Sequence, residues 1–255
     1  MDSELFSKIS SFPEAVSFFA VIFIIFSSFV SSFVSSIIGF GGGMLLLGVL
    51  ALNFSGSVII PLHAIIQLGS NLNRLVFFKF NIKWNIIIPF SLGCIIGVPL
   101  GGFFSLSINE NIIKILIALF IIINTISRIP ALNQNRLFFT GIFSSFLSTI
   151  VGVTGSLISS VIQSYKLQKS EYISSCAFLL FTQHFLKCIL FGLLGFAFID
   201  YFLLIFLVII AGIFGTYFGK FLILKIPEKI LLYVIKFILI VISLNLLING
   251  ISNII

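Results

Sequence analysis

The chain has 255 residues, 60% apolar and only 8% charged, with 14 Lys and Arg against 7 Asp and Glu for a formal net charge of +7. At a mean hydropathy of +1.30, it has far more apolar surface than a soluble domain buries, which excludes a soluble enzyme or nucleic-acid-binding domain and implies a membrane protein.

Apolar stretches long enough to cross about 30 Å of hydrocarbon, roughly 20 helical residues each, run over 15–38, 58–79, 84–106, 111–127, 137–151, 172–198, 200–224 and 229–248. Connections are short and no soluble domain is left over. Ahead of the first stretch, Asp2, Glu4 and Glu14 stand beside a single Lys8 and no small-residue cleavage site follows, so the first span is expected to stay in place. Cys94, Cys176 and Cys188 lie inside apolar segments without paired or metal-like spacing, which reads as packing.

The first span carries a small hydroxyl face: Ser27, Ser31 and Ser35 form one column at four-residue spacing, with Ser28, Ser32 and Ser36 beside it. Such a face can pack tightly or be wetted. It ends at Gly39-Phe-Gly-Gly-Gly43, and glycine costs about 1 kcal/mol against alanine inside a helix, so the helix is expected to break here and restart near Met44. Non-helical backbone at membrane depth survives only where protein or a water-filled cavity satisfies it. The restarted helix presents free N–H groups and a partial positive charge suited to an anion. The segment lacks the Lys-Ser/Thr ending of a nucleotide-binding loop and any surrounding βαβ pattern, so ATP as energy source is unsupported.

Residues 31–39, Ser-Ser-Phe-Val-Ser-Ser-Ile-Ile-Gly, recur as Ser-Ser-Phe-Leu-Ser-Thr-Ile-Val-Gly at 144–152, an offset of 113 with six identities. At that offset Gly39–Gly43 falls on Gly152-Val-Thr-Gly-Ser156, with a second restart expected near Leu157. Further on, an offset of 118 aligns Gly97 and Gly101 with Gly215 and Gly219. The expected fold is an all-α polytopic membrane protein of two four-segment repeats, 1–128 and 129–255, each a glycine-broken helix plus three transmembrane helices within one integral membrane domain. Lys and Arg concentrate in cytoplasmic loops. Lys79, Lys83, Arg128, Arg136, Lys166, Lys169, Lys220, Lys225 and Lys229 share one side only if each broken segment returns to its starting side and the other three spans cross. The repeats are then inverted, and inverted repeats hold their substrate near the midplane.

The same offset relates Asn71 to His184 and Arg74 to Lys187, giving each repeat a polar residue followed three positions later by a cation on one helix face. Ionisable residues within spans are costly and point to function. Because both cations lie within about two turns of a span end, they either attract an anion or snorkel to the interface. Gln183 and His184 sit deeper, whereas His63, near a span start, reads as an interfacial residue. No carboxylate falls at mid-membrane, leaving His184 as the one deep group that titrates near neutrality. The candidate substrate-binding residues are therefore Gly41, Gly42, Gly43, Asn71, Arg74, Thr154, Gly155, Gln183, His184 and Lys187; catalytic residues, metal ligands and cofactors are not expected. Gly97-x-x-x-Gly101 and Gly215-x-x-x-Gly219 read as packing motifs, and alanine at Gly41 and Gly42 is expected to damage transport more than alanine at Gly101.

The glycine-broken first segment, its second copy Gly152-Val-Thr-Gly-Ser156, the Gln-His-x-x-Lys stretch at 183–187 and the Gly-x-x-x-Gly before each last span together resemble the TauE/SafE sulfite-exporter family, also called the toluene sulfonate uptake permease family. The second copy departs from the first in having Val-Thr for Phe-Gly, and Ser156 stands where the family commonly has proline. The resemblance implies a multi-pass carrier in the bacterial inner membrane that moves small sulfur-containing anions such as sulfite or organosulfonates, most simply as an exporter. Its partners are then the anion and the lipid bilayer, with a homo-oligomer left open. An anion channel or facilitator for other small organic anions is the alternative.

Overall fold

The computed structural model describes residues 12–13, 16–79, 81–127 and 136–253. Asp2, Glu4, Lys8, Glu14, Arg128 and the expected boundary at 128/129 lie outside them. Among the described residues the chain is all-helical, with ten α-helices and one 3-10 turn. These are α1 (Phe18–Ile38), α2 (Gly42–Asn53), α3 (Gly56–Phe77), α4 (Trp84–Ser105), α5 (Glu110–Ile126), α6 (Leu137–Val151), α7 (Gly155–Gln163), α8 (Lys169–Leu193), α9 (Phe202–Leu222) and α10 (Glu228–Ser252).

All eight expected spans are helices. Five segments, α1, α4, α8, α9 with its leading 3-10 turn, and α10, are long and apolar enough to cross a membrane by themselves. The helix α3 is also long, at 22 residues, but His63, Gln67, Asn71 and Arg74 make it too polar to count on composition. Helix α8 departs from its expected span at both ends. It starts three residues earlier than expected because Gln168 and Glu171 form a capping box, and it ends at Leu193 just before Gly195 turns with φ +89.

The polarity is turned inside out relative to a soluble protein. Phe18, Phe19, Phe103, Leu193, Leu224 and Phe237 are exposed, whereas Arg74, Lys187, His63, His184, Gln67 and Gln183 are buried. Hydrocarbon solvates the former and only the helical interior can satisfy the latter.

Both breaks form where expected. Gly39 caps α1 in the left-handed region with φ +96 and Gly41 follows at φ +94, so α2 restarts at Gly42, two residues before Met44. In the second copy Gly152 turns with φ +87 and α7 restarts at Gly155, two before Leu157. A side chain at Gly39, Gly41 or Gly152 is strained whatever space surrounds it.

Helix α1 lies parallel to α9, because Ser28 donates to the Val208 carbonyl at 2.8 Å, while Ser32 and Ser36 meet Gly212 and Gly219 further along both helices. The column Ser28, Ser32, Ser36 is therefore a packing face. Helix α4 lies parallel to α6 by the same means: the Cα positions of Gly93, Gly97 and Gly101 sit against the carbonyls of Phe138, Ile142 and Phe146 in order. Helix α3 packs along α8 and α5 along α10.

Helix ends gather into two groups. The end of α3 and the starts of α4, α8 and α10 meet through Lys83–Glu171 at 2.6 Å, Ser174–Phe78 O at 3.3 Å and the ion pair Lys169–Glu228, and Lys220 at the end of α9 donates to Phe77 O at 2.6 Å. This end carries Lys79, Lys83, Lys169 and Lys220. At the other end the starts of α3 and α5 meet the ends of α4 and α8 around Gly56, Ser105, Glu110 and Leu194.

Candidate functional site

The two broken segments converge on the middle of the α3–α8 pair. Their turns, one face of α3 and one face of α8 enclose a cavity of about 10 Å³, room for about one water molecule. Gly41, Gly43, Arg74, Gly155 and His184, all expected from sequence, line it; Ser35, Phe40, Gln67, Val153 and Leu180 complete it. The N-termini of α2 and α7 begin at this wall, and the first N–H groups of a helix have no partner within it.

Arg74 is buried at 1% exposure and does not snorkel. One of its terminal nitrogens donates to the Gly39 carbonyl at 3.0 Å, the left-handed residue that ends α1, and the other donates to Asn71 Oδ1. Asn71 is itself held by donation to the Gln67 carbonyl at 2.6 Å. Asn71 thus orients the guanidinium rather than lining the cavity.

Lys187 repeats the arrangement at the other break. Its ammonium donates to Gly152 O at 2.9 Å, Ser148 Oγ at 3.0 Å and Ser148 O at 3.3 Å. Three donors meet three acceptors at the carbonyl end of α6, where the helix dipole favours a cation. Lys187 is fully buried and does not line the cavity, so of the candidate residues Arg74, His184 and Lys187 the structure brings the first two together on it.

Gln183 and Thr154 form a closed network beside it. Thr154 Oγ1 donates to Gln183 Oε1 at 3.2 Å, Ser144 donates to Thr154 at 2.9 Å, and the Gln183 amide donates to Ser144 and Ser145 at 3.0 and 3.2 Å. This ties α6, α7 and α8 together at the second break. Gly42 likewise serves packing: a Cβ there would stand 1.9 Å from the Ser31 carbonyl.

His63 is not interfacial. It is fully buried, its Nε2 lies 3.0 Å from the Gly43 carbonyl, and its ring meets that of His184 edge-on at 5.5 Å between centroids. Gln67, which sequence reasoning missed, lines the cavity between the two cations' helices. The signal was present: His63, Gln67, Asn71 and Arg74 follow one another at four, four and three residues, a single polar stripe on α3.

Around the cavity several buried polar atoms have no partner within the protein: Gln67 Nε2, Arg74 Nε, His184 Nδ1 and, just behind, His63 Nδ1. Leaving such a group unmet costs about 1–3 kcal/mol each. None of the buried polar or charged residues described is a carboxylate, so Arg74 and Lys187 bond neutral carbonyl, amide and hydroxyl oxygens and not a counter-ion.

A helical fold with an apolar exterior, a cationic interior and two broken helices facing one buried cavity defines a polytopic membrane transporter. The chain belongs to the sulfite exporter TauE/SafE family, whose sequence model matches residues 24–246, most of its length. This is a family of membrane transporters, not of enzymes. Neither a curated protein nor a solved structure matches the chain.

Proposed function

We propose that the protein is a secondary carrier that exports small sulfur-containing anions, sulfite or an organosulfonate, across the bacterial inner membrane. The observation that carries this reading is the set of unpartnered buried donors, Gln67 Nε2 and Arg74 Nε, beside His184 on a cavity that two helix N-termini also border. An oxyanion offers several acceptors and a negative charge, which meets those groups together and offsets the buried cations.

The two halves act as inverted repeats in this reading. Support comes from helix direction: α3 ends where α8 begins, α4 begins where α9 ends, and the related cations Arg74 and Lys187 each bond the glycine that ends the broken helix of their own half. The lysine-bearing end is cytoplasmic by the charge rule. An inside-negative potential then favours anion exit by roughly 2.3 kcal/mol per charge per 100 mV, enough to run an exporter without a driving ion. A cavity with room for about one water favours a carrier that opens and closes over a channel with a continuous pore.

The test is uptake of radiolabelled sulfite, sulfate, thiosulfate and several sulfonates by proteoliposomes under an imposed potential of either sign. Saturable flux of one anion that follows the potential is expected; a non-saturating conductance would replace the carrier by a channel, and no flux of any would end the sulfur-anion reading. Within the same assay Gln67→Leu is expected to raise KM about tenfold or more, since a lost hydrogen bond to a charged ligand is worth about 1.5–3 kcal/mol. Its thermal stability is expected to hold or rise, because the replaced amide nitrogen has no partner in the protein.

A further inference from the structure

Two clefts open at the lysine-bearing end and share Phe40, Gln163 and Leu232 in their walls. One, of about 290 Å³, is bordered by Lys166, Lys169 and Glu228; the other, of about 320 Å³, by Asn124, Ser127, Ser156, Ser159, Gln163 and Lys236. Phe40 borders both, and it also lines the central cavity. The large cleft at the opposite end, about 410 Å³ around Gly56, Ile60 and Phe191, shares none of the central cavity's lining residues.

Lys236 stands eight residues into α10, about 12 Å along the helix from its start. A cation at that depth is costly unless it faces water or a partner charge. Its cleft is walled by hydroxyl and amide groups and contains no carboxylate. In the adjoining cleft Glu228 is already paired with Lys169, which leaves the combined vestibule positive. Such a focused field raises the local concentration of an anion.

We propose that this vestibule is a second, outer anion site, in which Lys236 holds a small oxyanion among Ser127, Ser156, Ser159 and Gln163 before it passes the Phe40 ring into the central cavity. The inference rests on the reading that the central cavity takes the anion. Phe40 is flanked by Gly39 and Gly41, both at positive φ, and a Cβ on Gly41 would meet nothing within 4 Å. The ring is half-buried, resting on the edge of the hydrophobic core with a left-handed glycine on each side as a backbone hinge, whereas its counterpart at the 113 offset, Val153, is buried within that core.

Calorimetric titration of the purified full chain with sulfite and with sulfate tests this directly, on the wild type, Lys236→Gln, Lys236→Arg and Arg74→Gln. Two classes of site are expected for at least one anion. Lys236→Gln is expected to weaken the more salt-sensitive class at least tenfold and spare the other, Lys236→Arg to retain both, and Arg74→Gln to remove the class that Lys236→Gln spares. In proteoliposomes Lys236→Gln is expected to raise KM about tenfold with kcat changed less than twofold, and to flatten the rise of KM with ionic strength. Binding and salt dependence unchanged in Lys236→Gln would overturn the outer site while leaving the central one standing. Binding that Lys236→Gln abolishes and Arg74→Gln leaves intact would uphold the outer site and overturn the central one. No binding of either anion by the wild type would overturn both.

Discussion

Alanine at Gly97 is expected to lower the yield and thermal stability of the folded protein more than alanine at Gly41, as the reading of Gly97-x-x-x-Gly101 as a packing motif implies. A Cβ on Gly97 would stand 2.2 Å from the Ile142 carbonyl, and on Gly101 2.6 Å from that of Phe146, while at Gly41 it would meet nothing. The obstacle at Gly97 is backbone of another helix, so relief requires α4 and α6 to move apart along a shared seam that also includes Gly93 against Phe138. Overpacking of this kind costs about 1–3 kcal/mol, or about 2–4 °C in melting temperature per kcal/mol for a chain of this size. Gly215→Ala should behave alike, since its Cβ would lie 2.2 Å from the Phe29 carbonyl on the α9–α1 seam. Gly41→Ala keeps the seams and strains only the turn at φ +94, so its expected signature is reduced flux in a protein that still purifies as a single species. Size-exclusion profiles and melting curves of the three variants decide the matter. Intact, normally stable Gly97→Ala and Gly215→Ala would mean that the helices are not in the close contact described.

The contrast explains what could be read from the sequence. The number and order of helices follow from the alternation of apolar runs with Gly, Pro, Asn and Lys clusters, and the two breaks follow from backbone chemistry that only glycine satisfies. Those are local properties, and local properties are visible in one dimension. The 113 offset pairs Arg74 with Lys187, and each of the two bonds the glycine carbonyl at the end of a broken helix. What stayed hidden were choices between partners. Whether a cation near a span end turns outward or inward depends on which carbonyls lie within reach, and Gly39 is 35 positions from Arg74. The misreading of His63 has the same origin: its place in the run suggests an interface, but the return of α2 brings the Gly43 carbonyl onto it and the packing of α8 along α3 brings the His184 ring. Gln67 could have been found from the stripe it shares with His63, Asn71 and Arg74, had the four been taken as one face.

Arg74 and Lys187, related by sequence, are expected to fail differently when mutated. Arg74 spends its two terminal nitrogens on Gly39 O and Asn71 Oδ1, and its Nε remains unpartnered on the cavity side. Lys187 spends all three protons on the end of α6 and does not line the cavity. Arg74→Gln therefore removes both a fixed charge and a free donor from the space an anion would occupy; at about 1.5–3 kcal/mol for a charged hydrogen bond, transport KM is expected to rise about 10- to 100-fold, beside a fall in melting temperature from the two acceptors, Gly39 O and Asn71 Oδ1, that lose their donor. Arg74→Lys is expected to restore the charge but not the forked geometry, and so to recover only part of the loss. Lys187→Gln leaves up to three buried acceptors short of a donor, at about 1–3 kcal/mol for each one left unmet. Its expected signature is a lower melting temperature and poor yield, with KM of the surviving protein close to wild type. Flux kinetics and melting curves of the three variants, measured on the same preparations, separate the two roles. A KM effect in Lys187→Gln as large as in Arg74→Gln would mean that the lysine leaves its helix end and reaches the substrate during the transport cycle. Unchanged KM in Arg74→Gln would remove the arginine from the anion site and leave it a capping residue like its counterpart.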